Sequence, residues 1–179
     1  MYLREKISGA LALVGWLVLF SAGLTIDSSP YRTQVNSPLF SWSAFLMVIF
    51  TYTPTNVAIL SLFSGYIAGC ASLITHHRFR DKAEKEGTLS KETLRERLLF
   101  RTESPLASMF RSIVVYFGFM AGVLVTTVSP FTATTPEQYI RLASAISFFA
   151  FVVGYDPTKF SSLLGGRWGG GTDARTRRS

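Results

Sequence analysis

Cysteine occurs once in 179 residues, so no disulfide can form within the chain and thiols cannot assemble a metal cluster. That residue, Cys70, lies inside an apolar segment and reads as a small buried side chain. Histidine is nearly as scarce. The two that occur, His76 and His77, are sequence neighbours, so on a helix they diverge by about 100° and cannot grip one ion as an i, i+4 pair would. They are read as helix-end residues meeting headgroups and final carbonyls. Charge is sparse too: Asp, Glu, Lys and Arg make up 16% of the chain, little for the surface of a soluble domain. Asp27, Glu137 and Asp156 fall at expected helix ends, leaving no acid within a span, and this disfavours a proton- or cation-coupled carrier. The chain has no glycine-rich phosphate loop, G-x-S-x-G elbow or H-E-x-x-H pair. No cofactor or metal is expected. An enzyme acting on lipids would have only His76, His77 and a few interfacial charges to work with.

What the chain has instead is segregation: apolar residues in long blocks, charges in short ones, and a mean hydropathy of +0.29. That pattern belongs to a membrane protein. The net charge of +7 does not point to nucleic acid, because the basic residues mostly flank apolar segments, where anionic headgroups attract them. Residues 1–26 have a basic start (Arg4, Lys6), an apolar run and small residues at Ser21 and Gly23, which would also describe a cleavable leader. The run is read as a retained spanning helix, since about 20 apolar residues at 1.5 Å each cover the roughly 30 Å hydrocarbon core.

A recurring dipeptide marks helix starts. Ser37-Pro38, Thr53-Pro54, Ser104-Pro105, Thr135-Pro136 and Asp156-Pro157 each precede an apolar run. The side-chain oxygen accepts from first-turn amides, and proline at the first helical position loses a donor that had no partner. At Thr135 the following Gln138 completes a capping box. The expected spans are therefore about 7–26, 54–77, 105–128 and 136–155, with a short outer helix at about 38–52. At about 22 Å that short helix cannot cross, so it lies on the membrane or re-enters it. A short helix at about 157–164 should follow Asp156. The cytoplasmic loop 78–103 should hold an amphipathic helix from about Ser90. Residues 1–164 read as a single membrane domain, and 165–179 as a glycine-rich basic tail.

Basic residues give the orientation. With four crossings the inner side receives Arg4, Lys6, the cluster Arg78 to Arg101, Arg111, Lys159 and the tail arginines, leaving only Arg32 and Arg141 near the outer face. Both termini are thus expected in the cytoplasm, with the protein in a plasma or inner membrane. Arg111 and Arg141, each about one turn inside a span, are read as snorkelling outward. Tyr31, Trp42 and Tyr139 fit an outer aromatic belt, and Tyr2, Tyr155 and Trp168 an inner one. Trp16 falls mid-span and should pack against a helix or lipid tails.

Small residues at four-residue spacing let helices approach where lipid offers no hydrophobic drive. Ser61, Gly65 and Gly69 form one ridge, Ser64, Ala68 and Ser72 a second, Gly118 and Gly122 a third, and Ala143, Ser147, Ala150 and Gly154 a fourth. The span 54–77, small on two adjacent ridges, should be the most buried. Between 38–52 and that span lies the polar break Thr51-Tyr-Thr-Pro-Thr-Asn56, in the order used by pore-loop channels. Thr51, Thr53, Thr55 and Asn56 are its candidate pore-mouth residues. The expectation that leads is nevertheless a non-enzymatic accessory or structural subunit. It would associate with lipids and with itself or other membrane subunits, through helix faces at Gly65 and Gly69 and through Arg175, Arg177 and Arg178. The homo-oligomeric channel is the alternative.

Overall fold

The computed structural model describes residues 2–26, 42–86, 104–126 and 135–156, which form five helices and, among the described residues, no strand. In chain order they are α1 (Tyr2–Thr25), α2 (Trp42–Phe50), α3 (Pro54–Glu86), α4 (Pro105–Thr126) and α5 (Pro136–Tyr155). Four contain stretches long and apolar enough to cross a bilayer: Leu3–Thr25, Pro54–His76, Pro105–Val123 and Pro136–Tyr155. The all-helical character read from the sequence is what the structure shows among the described residues, and the four long apolar helices are compatible with a multi-pass membrane protein.

Three of the proline-preceded starts can be inspected, and each works as a cap. The Asn56 amide donates to Thr53 Oγ1 at 3.1 Å, Ala107 to Ser104 Oγ at 3.2 Å, and Gln138 to Thr135 Oγ1 at 3.3 Å. Each occupies one first-turn amide that has no partner within its own helix. Two boundaries differ from expectation. Helix α1 starts at Tyr2, which brings Glu5 into its first turn and into the candidate span. Helix α3 runs to Glu86, past the apolar segment, so His76 and His77 are interior helical residues and not a helix end. Its continuation HRFRDKAEKE holds two each of Lys, Glu and Arg, residues of high helix propensity. The first residues of the short outer helix, the amphipathic helix expected from Ser90, the helix at 157–164 and the tail 165–179 lie outside the described residues.

Helix α3 is the axis of the bundle: it packs on α5, α4 and α1 and touches α2, and it is the most buried of the four candidate spans. Helix α5 completes the core by packing on α4 and, over a smaller area, on α1. Contacts fix the helix directions. At one end Gly9 of α1 abuts Cys70, and Gly69 abuts Pro105, while Ser108 reaches Gly154. At the other end Gly23 abuts Tyr139, and Tyr116 reaches Pro54. The spanning helices therefore alternate up and down, and the described chain ends, Tyr2 and Asp156, share one end of the bundle. Trp16 packs inward, stacking on Phe20 at 4.9 Å and donating its indole N–H to Ser147 Oγ at 3.2 Å.

Candidate functional site

The first concentration of polar groups is the junction between α2 and α3. A helix ending at Phe50 leaves its last carbonyls without intrahelical donors, a costly condition at membrane depth. Met47 O keeps the Thr51 amide at 2.9 Å, and side chains of the break add donors along the last turn. Thr51 Oγ1 donates to Met47 O at 2.7 Å, Thr53 Oγ1 donates to Val48 O, and Asn56 Nδ2 donates to Ile49 O at 2.6 Å. Asn56 also reaches Leu19 O on α1 at 3.4 Å through Nδ2, while its Oδ1 accepts from the Tyr139 hydroxyl of α5 at 2.9 Å. One amide thus ties four helices together. Around it, Tyr52 meets Tyr139 edge to face at 5.0 Å, and Tyr116 donates to Pro54 O at 2.8 Å.

The arrangement fixes where the candidate pore-mouth residues lie in a single chain. Thr51 and Asn56 have no exposed surface, Thr53 is buried, and only Thr55 of the four is exposed. The hydroxyls of Thr51 and Thr53 and the amide nitrogen of Asn56 are spent on the chain's own carbonyls, and Asn56 Oδ1 on the Tyr139 hydroxyl. Tyr139 is likewise no belt residue: it is 1% exposed, and its ring occupies the space that a side chain on Gly23 would fill. Trp42, 72% exposed, does have the exposure a belt position needs.

The second concentration is a seam of small residues where α3, α4 and α5 meet. Ser61 Oγ donates to Ser112 O at 2.9 Å, and Ser108 Oγ donates to Gly154 O at 3.0 Å. The Ser112 hydroxyl lies 2.9 Å from Ser108 O and 3.2 Å from Ala150 O. Gly65 is the closest point: an added Cβ would overlap Ser112 and sit 2.8 Å from the Ser108 carbonyl oxygen. At Gly69 it would lie 2.7 Å from Pro105 Cα, and at Gly154 it would lie 3.0 Å from Gly65 O. Ser61, Gly65, Gly69, Ser147 and Gly154 therefore all pack within the chain. Gly118 does not, since a Cβ there would meet nothing within 4 Å, and a Cβ on Gly122 would likewise meet open space.

The two arginines behave differently. Arg141 is exposed and pairs with Glu137 at 2.7 Å one turn away, the side chains being 78% and 74% accessible. So exposed a pair contributes little. Arg141→Gln should shift unfolding stability by less than about 0.5 kcal/mol, measured by thermal denaturation in detergent. Arg111 is half-buried and reaches back along α4, with Nη2 donating to Ser108 Oγ at 3.2 Å.

Sequence reasoning missed Gly9, Gly15 and Gly23 of α1, and Ser108 and Ser112 of α4. The serine pair carried a usable signal, its four-residue spacing. The three glycines of α1 did not, because each answers a different residue: Cys70, Phe63 and Tyr139. Among the described residues no three His, Cys, Asp or Glu side chains gather where a metal could sit. Arg175, Arg177 and Arg178 lie outside the described residues. Comparison with protein-family models, with curated proteins and with solved structures finds no match for this chain.

Proposed function

We propose that this chain is a non-enzymatic component of a membrane assembly, and that the outward face of α4 around Gly118 is where it meets another spanning helix. One observation carries the reading. Of the small-residue faces, those at Gly65, Gly69 and Gly154 are consumed inside the bundle, whereas the space in front of Gly118 is open. Val114 and Phe117 flank it, 51% and 64% exposed. A small residue between larger apolar ones lets a second helix approach closely. The contact expected at Gly65 and Gly69 thus moves to Gly118.

The orientation belongs to the same reading. The end of the bundle holding Tyr2 and Asp156 also holds Arg4, Lys6 and the charged extension of α3, so it is the cytoplasmic end by the bias of basic residues. Helix α2 lies at the outer end, and the loop before α4 and the basic tail face an acidic partner or lipid headgroups on the inner side.

The test is the mass of the complex extracted in a native-like membrane mimic. Gly118→Leu should reduce it by at least one subunit while leaving the unfolding temperature of the chain unchanged. An unaltered mass would refute the assignment of this face.

A further inference from the structure

Helices α1 and α4 both pack on α3 but barely on each other, which leaves a cleft over α3 that opens sideways. It is a groove of about 430 Å³ whose lining includes Ala12 and Gly15 of α1, Leu62, Phe63 and Tyr66 of α3, and Met109 of α4. The wall on α1 is low because Ser8, Ala12 and Gly15 follow one another on a single face. At its shallow end Ser8 and Tyr66 share a hydrogen bond between their hydroxyls, a polar station in otherwise apolar surroundings. The groove continues into a second depression lined by Leu3, Arg4, Ile7, Ser8 and Leu11, so Arg4 stands one turn above the hydroxyl pair on the same face.

We infer that this groove holds one acyl chain of an anionic phospholipid, with the phosphate on Arg4. Length selects the occupant. From Arg4 to Gly15 the groove extends about 16 Å along the helix axis, close to half of the roughly 30 Å hydrocarbon core. A partner's spanning helix would need a track along the whole core, whereas a lipid tail occupies one leaflet. Charge selects the headgroup. Arg4 is exposed and forms no ion pair among the described residues, and a guanidinium binds phosphate through two parallel N–H donors. Glu5, the nearest acid in sequence, points about 100° around the helix from Arg4, with its Oε2 buried. The glycerol ester region then falls at the depth of Ser8 and Tyr66.

The full chain is reconstituted in nanodiscs of equal phosphatidylcholine and phosphatidylglycerol, delipidated in mild detergent and weighed intact. The wild type should keep one lipid per chain, with phosphatidylglycerol favoured about fivefold, the factor expected for one basic residue at the surface. Arg4→Gln, a change at an exposed side chain, should keep a lipid but bring the preference to parity. Met109→Trp fills the groove and should remove the retained lipid of either kind. A phosphatidylglycerol carrying a photoreactive group near the end of its chain should label the stretch around Phe63 or Gly15. Loss of lipid at the wild-type stage, an undiminished preference in Arg4→Gln, or label placed on another helix face would each overturn the assignment. A lipid-free dimer would do so as well, and would make a second copy the occupant.

Discussion

Replacing Gly65 with alanine should cost the bundle about 3 kcal/mol or more, and Gly65→Leu should prevent it from folding. Helix propensity points the other way, since alanine is favoured over glycine by about 1 kcal/mol in a helix interior. The steric term outweighs it. The added carbon would overlap Ser112 and press on the Ser108 carbonyl, which is backbone and cannot rotate away. Relief requires α3 and α4 to separate, and separation breaks the Ser61 to Ser112 bond and then the Ser112 contact to α5. The chain carries its own reporter, because Cys70 is its single thiol and is 2% exposed between α3 and Gly9. A thiol-reactive dye added during a thermal ramp should label Gly65→Ala at a distinctly lower temperature than the wild type. Gly118→Ala, with open space before it, should label at the wild-type temperature or slightly above. Equal midpoints for Gly65→Ala and the wild type would contradict the close approach.

The contrast between those two glycines shows what could be read from the residue string. Both stood in four-residue patterns of small side chains, and periodicity records only that a helix has a low face. Which low face meets a neighbour depends on how the helices are arranged. The chain's local chemistry was more legible. The hydroxyl–proline pairs at Thr53, Ser104 and Thr135 mark three helix starts because capping needs only neighbouring residues. The apolar runs give the four candidate spans, since length and composition suffice. The end of α3 was not legible from hydropathy, because the apolar surface stops near His76 while the helical propensity continues to Glu86. Tyr139 was misplaced for a related reason. Its position one turn into α5 suits an interfacial aromatic, and only the absence of a side chain at Gly23, 116 residues earlier in the chain, admits its ring to the core.

The polar break at Thr51 to Asn56 looked like a pore mouth for the same reason that it works as a junction: hydroxyls and amides serve water and backbone carbonyls equally well. Stability separates the two roles. At a water-facing mouth, Asn56→Ala would leave stability nearly unchanged. At the junction it removes the partners of Ile49 O and of the buried Tyr139 hydroxyl, and about 2–3 kcal/mol should be lost. The Tyr139 arm should account for about 0.6–1.7 kcal/mol of this, because hydrogen bonds within membranes are partly replaced in the unfolded state. A double-mutant cycle isolates that arm. Tyr139→Phe alone removes a hydroxyl that has a partner, but in an Asn56→Ala background it removes one that has none. The second substitution should then be neutral or mildly stabilising, so the double variant should unfold within about 0.5 kcal/mol of Asn56→Ala. Thr55→Val, at the exposed position of the same break, should stay within about 0.5 kcal/mol of the wild type. Additive losses at Asn56 and Tyr139, or an Asn56→Ala variant as stable as the wild type, would mean that the amide does not hold the junction and would return Asn56 to water.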